Sequence, residues 1–178
     1  SSCEKVGEWE KALMLFKECE DAGLKPDHII FNALISSGDK GNRPDVAQHY
    51  FDSMIANGIE RDVISYCALI SAYASQGHLQ GATETWEKLK RDEKVQPTIA
   101  VFHELIRSCQ VHANAQEALG FFEELRSHGL SPVTFTYSIL LPILAEKGMN
   151  EKVSELQEEL RRTQESEQDG GEMRYTSL

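Results

Sequence analysis

The side chains most able to bind a metal or act as nucleophiles are four cysteines and six histidines. The cysteines are far apart and form no C-x-x-C pair, at Cys3, Cys19, Cys67 and Cys109. The histidines form neither H-x-x-x-H nor H-E-x-x-H. Zinc sites and disulfide frameworks need paired spacings, so we interpret the cysteines as free, mostly buried thiols. No nucleophile-base set or phosphate-binding loop is present. We therefore predict no catalysis, metal or cofactor within this chain.

The elements around these residues repeat along the chain. Small or apolar residues recur in steps of 35 or 36 positions, at Ala12, Ala47, Ala82, Ala118 and Val153. Four positions later comes an aromatic residue in every copy but the last, at Phe16, Phe51, Trp86 and Phe122, with Gln157 as the exception. A fixed period of this length is the signature of a helical repeat array. The sequence thus predicts an all-α fold of stacked two-helix units.

Glycine, proline and the apolar stripes divide the chain into units. We predict a truncated unit over 1–27, three full units over 28–62, 63–98 and 99–133, and a degenerate capping unit over 134–164. Pro142 lies inside the first helix of the capping unit and is expected to kink it or delay its start. The polar stretch 165–178 contains two adjacent glycines and is predicted to be disordered. Because residue 1 falls inside a unit, we expect a piece of a longer protein.

Composition narrows the class of protein. The formal net charge is −11, with 40% hydrophobic and 26% charged residues. These fractions are ordinary for a helical domain, and no apolar run approaches the roughly 20 residues that a membrane span needs. We expect any targeting segment to lie outside this chain, because the first residues do not have the pattern of a leader sequence. No membrane partner or small-molecule substrate is expected.

The motifs of these units resemble the pentatricopeptide repeat family over residues 1 to about 165. "SYCALISAYASQGHLQGATETWEKLK" and "TYSILLPILAEKG" are similar to its first helix and turn, and "ALMLFKECEDAGLKPD" to its second helix and closing Pro-Asp. The tetratricopeptide repeat has 34 residues and a different W-x-x-L-G-x-x-Y pattern, so we do not favour it. The resemblance implies a right-handed α-solenoid in which first helices line the concave face.

The resemblance also implies a function. Members of this family bind single-stranded RNA in mitochondria or chloroplasts, one base per repeat, through two or three side chains. By position, the base-reading pairs are Asn32 with Asp62, Cys67 with Thr98, and His103 with Val133; Ser138 and Asp27 belong to incomplete pairs. Asn32 with Asp62 matches the family combination for uracil. The other pairs match no recognised combination. Asn32 could instead be a solvated helix-start residue, and Asp62 a simple N-cap.

Two further sets follow from the resemblance. The residues that would sandwich neighbouring bases are Ile29, Ile64, Ala100 and Phe135, although core packing would explain the same apolar residues. Phosphate contacts would come from Lys5 and Lys40, in a column that loses its basic character towards Glu146. We therefore expect RNA to bind through the N-terminal half.

Two functions from different classes stay open at this point. One is an RNA-binding segment of an organellar protein that stabilises or processes transcripts, or helps translate them, by binding alone. The other is a protein-interaction scaffold that uses the same concave face. The acidic net charge and the unrecognised pairs favour the scaffold, because RNA phosphates attract lysine and arginine.

Overall fold

The computed structural model describes Met14, residues 16–18, Asp21, Gly23 and residues 26–172, with side chains up to residue 165. Most of the predicted first unit, including Lys5, Cys3 and Cys19, lies outside these residues. The described chain contains no strand. From residue 28 onwards it forms eight helices: α1 His28–Lys40, α2 Pro44–Ala56, α3 Val63–Ser75, α4 Leu79–Arg91, α5 Ile99–Ser108, α6 Ala115–Ser127, α7 Thr134–Glu146 and α8 Asn150–Glu172. The all-α prediction is confirmed.

Two predictions about the C-terminal end need correction. Helix α7 begins at Thr134 with Pro142 inside it, so the proline does not delay the start of the helix. The predicted disorder from residue 165 is also wrong for its first part, because α8 continues to Glu172. Residues 173–178 lie outside the described part. Ion pairs at helical spacing support this extension: the Arg161 guanidinium contacts the carboxylates of Glu158 and Glu165.

Polar residues set where the helices begin and turn. The Asp27 carboxylate accepts a hydrogen bond from the Ile30 backbone N–H at 3.0 Å and caps α1. Pro44 is the first residue of α2, where its missing N–H is not needed. Between α3 and α4, Gly77 has a φ of 65°, a conformation that other residues adopt only with strain. These local signals close each pair of helices into a hairpin.

The hairpins stack in two unequal layers. Each first helix packs directly on the next, in the order α1, α3, α5 and α7, whereas the described second helices approach only first helices at backbone distance. Long polar side chains bridge the wider gaps between second helices, as in the 2.8 Å ion pair between Arg126 and Glu159. Because the first-helix layer is the more closely spaced, the array curves with first helices on its concave side. This arrangement is the predicted α-solenoid.

Aromatic residues form the interfaces between successive units. Phe51 lies edge-on to Tyr66 at 5.0 Å between ring centroids, and Trp86 is equally close to Phe102. Phe122 and Tyr137 repeat the pairing at 5.9 Å. All of these rings are buried, so the aromatic columns are core as expected. Each edge-on pair contributes roughly 0.5–1.5 kcal/mol beyond the burial of apolar area. We therefore expect the stability of the array to depend mainly on the interfaces between adjacent units.

Candidate functional site

Exposed apolar side chains follow the concave face, one at the second position of each first helix. Their exposed fractions are 64% for Ile29, 59% for Ile64 and 56% for Phe135, and Ala100 is exposed at the same position of α5. Core packing therefore does not explain these residues. A regular row of exposed apolar side chains on a grooved surface indicates a binding face. Their role in sandwiching bases stays a prediction.

Asn32 and Asp62 are brought together across one repeat. The Asn32 amide Nδ2 donates to both carboxylate oxygens of Asp62, at 3.2 Å each. The Asn32 side chain is only 8% exposed, so the interpretation of a solvated helix-start residue is wrong. The Asn32 Oδ1 atom is buried and has no hydrogen-bond partner among the described residues. The pair thus leaves one oriented acceptor unsatisfied.

Asp62 is also the N-cap of α3. Its Oδ1 accepts from the Ser65 backbone N–H at 2.8 Å, and the Ser65 hydroxyl accepts from the Asp62 backbone N–H at 2.9 Å. The capping interpretation of Asp62 is therefore confirmed, but capping is not its only contact. The Asp62 carboxylate therefore caps α3 and also accepts from the Asn32 amide. The second contact fixes the orientation of the Asn32 amide group.

The second predicted pair lies in a cleft on the concave face. Cys67, Thr98, Ile64 and Ala100 all line this cleft, whose volume is about 450 Å³. It is bounded by α1, α3 and α5. The structure therefore brings together both predicted readers of this unit with its predicted sandwiching residue, Ile64, and that of the next unit, Ala100. Burial, with a smaller contribution from the Glu104 carboxylate, raises the pKa of the Cys67 thiol to about 11.

We expect Cys67 to react slowly with alkylating agents, because only the thiolate is nucleophilic. A pKa of about 11 in place of 9.0 lowers the thiolate fraction at neutral pH about 100-fold. The alkylation rate with iodoacetamide should rise about tenfold per pH unit up to about pH 10, beyond the plateau of an ordinary thiol. Peptide-resolved mass spectrometry measures the rate at Cys67. The same peptide in urea-unfolded protein is the control, and equal rates would contradict the prediction.

The third and fourth predicted pairs are arranged differently from expectation. The His103 Nε2 atom lies 2.9 Å from the Thr136 hydroxyl, and the His103 ring lies edge-on to Phe135 at 4.9 Å. Val133 has no polar side-chain group to share with His103. Burial lowers the pKa of His103, which favours its neutral form. Ser138 is exposed and donates to the Phe135 backbone carbonyl at 2.7 Å.

Sequence reasoning missed Thr136 as the partner of His103. Its hydroxyl also accepts from the Val133 backbone N–H at 3.1 Å, the same capping contact that Ser65 makes for Asp62. A hydroxyl residue at the third position of a first helix was the available signal. The capping residue Asp27 is exposed and occupies the same place in its unit as Asp62.

A polar network along the groove was also missed. The Ser71 hydroxyl donates to Asp39 at 3.0 Å and accepts from the Arg107 guanidinium at 3.1 Å, and Arg107 also pairs with Glu104. This chain of contacts joins α1, α3 and α5. Lys40, the described member of the predicted phosphate-contact pair, is exposed at the end of α1.

Two other properties concern metals and membranes. Within residues 26–172 and the few described before them, no three histidine, cysteine or acidic side chains are grouped so that they could hold a metal ion. None of the described helices has both the length and the apolar character of a membrane-spanning segment.

Comparison with known proteins gives consistent results. The sequence model of one protein family, described as the pentacotripeptide-repeat region of PRORP, matches residues 1–169. A pentatricopeptide repeat-containing protein of Arabidopsis thaliana is 33% identical over 84% of this chain and 18% of its own length. Another from the same plant, named as chloroplastic, is 31% identical over 75% of this chain and 26% of its own length. The chain thus spans only about a fifth to a quarter of these relatives.

Solved structures share the fold. The crystal structure of the pentatricopeptide repeat protein PPR10 in complex with an 18-nt psaJ RNA element aligns with a TM-score of 0.73 and 24% identity, covering 83% of this chain and 22% of that one. The PPR domain of Arabidopsis thaliana protein-only RNase P 1, in complex with tRNA, aligns with a TM-score of 0.76 and 16% identity, covering 96% and 92%. With a family model matched along almost its whole length, this chain belongs to the pentatricopeptide repeat family.

Proposed function

We propose that this chain is a single-stranded RNA-binding segment of an organellar protein, acting by binding alone. Two structural neighbours are complexes with RNA, and one curated relative is named as chloroplastic. Binding would occupy the concave face, where Ile29, Ile64 and Phe135 offer apolar edges to bases. An RNA held there is covered against nucleases and kept from folding on itself, which is enough to stabilise a transcript or expose a translation start.

The observation that carries this proposal is the Asn32–Asp62 pair. A buried acceptor without a partner costs roughly 1–3 kcal/mol, and the Asn32 Oδ1 atom is such an acceptor. The Asp62 carboxylate holds Nδ2, so the amide cannot turn and offer its N–H in place of Oδ1. A ligand N–H would relieve the cost. Because Oδ1 is shielded from solvent, a base reaches it after a small movement of the side chains that cover it.

Uracil fits this requirement. Its N3 carries a hydrogen, whereas the N3 of cytosine is an acceptor that would face another acceptor. The Asn32–Asp62 pair therefore favours uracil over cytosine, because only uracil can donate a hydrogen bond from N3 to the unsatisfied Asn32 Oδ1 atom. The resemblance to the family combination leads to the same preference. The expected discrimination is about 1–2 kcal/mol, or roughly 5- to 30-fold in affinity.

RNA selection from a random pool tests the proposal. The unaltered chain should enrich uracil at one position. Asn32→Ala and Asp62→Ser variants should lose that enrichment, and serine keeps the N-cap so that α3 is not weakened. Asn57→Ala, on the exposed end of α2, is the matched control and should retain it. Unchanged uracil enrichment in both site variants would count against base reading by this pair.

A protein-interaction scaffold is the second candidate, because the net charge of −11 disfavours a polyanion. Salt dependence separates the two. About two phosphate contacts should weaken RNA affinity about sevenfold between about 50 and about 200 mM salt, since counterions are released on binding. Fluorescence anisotropy with a selected oligonucleotide measures this slope. Absence of RNA binding at low salt would favour the scaffold.

A further inference from the structure

The cleft of the second repeat has apolar walls and an acidic floor. Ile64 on α3 and Ala100 on α5 both line this cleft. The carboxylates of Glu104 and Asp39 line the same space. Glu104 lies one helical turn beyond Ala100, on the same face of α5, because residues four apart on a helix are neighbours. A flat ring entering between Ile64 and Ala100 would therefore point its polar edge at carboxylate oxygens.

The acceptor capacity of Glu104 is not exhausted. Both contacts from the Arg107 guanidinium are to Glu104 Oε2, with Nε at 2.8 Å. The Oε1 atom accepts no hydrogen bond from the residues whose side chains the structure describes. Asp39 likewise uses Oδ2 for the Ser71 hydroxyl at 3.0 Å. Arg107 and Ser71 hold these carboxylates in place without occupying all their lone pairs, so both carboxylates still offer free acceptors.

These two carboxylates favour a ligand edge that carries donors. Adenine, cytosine and guanine each have an exocyclic amino group, and uracil has only carbonyl oxygens flanking N3–H. Cytosine N4 in particular is a known donor to glutamate and aspartate. A uracil in this cleft has a single donor, N3–H, and the two carbonyl oxygens beside it would face the remaining carboxylate oxygens, which are acceptors only.

We infer that Glu104 is a specificity-determining residue that makes the second repeat reject uracil and accept a base with an exocyclic amino group. This inference rests on the proposed RNA-binding function. It assigns a base preference to the second repeat, whose predicted pair, Cys67 with Thr98, matches no recognised combination. Two adjacent repeats then have opposite preferences: uracil at the Asn32–Asp62 pair and an amino-bearing base beside it.

The test uses RNA selected by the unaltered chain, with the base next to the enriched uracil replaced by each of the four bases in turn. Cytosine and uracil are compared directly because they have the same size. Cytosine should bind about tenfold more tightly than uracil. Glu104→Gln should bring the cytosine-to-uracil affinity ratio close to one, since an amide can donate to a carbonyl. Glu123→Gln, an exposed position on α6, is the control and should leave the ratio unchanged.

Arg107→Gln distinguishes recognition by Glu104 from a structural role of the ion pair. It removes the positive charge but keeps an N–H donor for Glu104, so the cytosine preference should persist. Loss of the preference in both Glu104→Gln and Arg107→Gln, or equal binding of uracil and cytosine by the unaltered chain, would overturn the inference while leaving RNA binding in place. A chain that selects no RNA at all would overturn the proposed function and this inference with it.

Discussion

Replacing Trp86 with alanine is expected to lower the free energy of unfolding by about 3–5 kcal/mol, the range for deleting a large buried aromatic side chain. Trp86 is 1% exposed, and its ring packs edge-on against Phe102 of the next repeat at 5.0 Å. Its indole N–H donates to Glu124 at 2.6 Å. The side chain thus joins α4 to both helices of the following unit, and its loss weakens two interfaces together.

Trp86→Phe separates the ring contact from the hydrogen bond. Phenylalanine keeps an aromatic edge against Phe102 but cannot donate to Glu124, whose side chain is 39% exposed and can turn to water. We expect this variant to lose only about 1–2 kcal/mol. Urea unfolding should be followed by far-UV circular dichroism, because tryptophan fluorescence changes with the mutation itself. A loss below about 1 kcal/mol for Trp86→Ala would contradict an interface role.

The unfolding curve of Trp86→Ala carries further information. In a repeat array, stability is a sum of unit terms and neighbour-interface terms. A weakened central interface should broaden the transition, since the units on either side then unfold more independently. Trp86→Phe should keep the transition sharp. The slope of the curve, which scales with the surface exposed in one cooperative step, reports this difference.

The repeat period made the helices and the core predictable. Once Ala47, Ala82 and Ala118 are aligned, the aromatic four residues later must lie on the same helix face, and the structure buries it in each case. Helix ends follow from local chemistry in the same way, as Asp27 and Asp62 show. These features depend on residues within one or two turns of each other, where sequence spacing determines spatial position.

Contacts between repeats were less predictable. His103 was expected to act with Val133 but bonds to Thr136, and the contacts of Arg107 were not anticipated. Such contacts join residues about 30 to 36 positions apart. They depend on how far one hairpin is shifted and rotated against the next, and periodicity does not specify this. The burial of Asn32 has the same origin, because the neighbouring unit covers it and supplies its partner.

The helical start of the predicted tail was missed for a different reason. The polar stretch from residue 165 was interpreted from composition, in which charge and polarity suggest disorder. The spacing just before it contains the better signal: Arg161 lies three residues after Glu158 and four before Glu165, so opposite charges lie on one helix face. The hydrogen bond from the Arg161 guanidinium lowers the pKa of Glu158 to about 2, and desolvation opposes this shift only in part.

Replacing Gly38 with alanine is expected to destabilise the first described hairpin, although alanine is the better helix former. A Cβ atom at residue 38 would lie 2.8 Å from the Cβ and the backbone N of Ala47, and 2.9 Å from the Arg43 carbonyl oxygen. Two of these atoms belong to the backbone and cannot move without separating α1 from α2. Overpacking of this kind costs about 1–3 kcal/mol, and the gain in helix propensity offsets about 1 kcal/mol. We expect a net loss of about 1 kcal/mol.

Gly120→Ala is the matched control, because Gly120 is also inside a helix but has no atom within 4 Å of an added Cβ. There the propensity gain acts alone, and the free energy of unfolding should rise by about 0.5–1 kcal/mol. The two identical substitutions are thus expected to have opposite signs, which thermal or urea unfolding resolves. Stabilisation by both would show that α1 and α2 can separate without cost. Close packing of α1 against α2 would then not require glycine at residue 38. The position of Asn32 in the groove would not depend on Gly38 either.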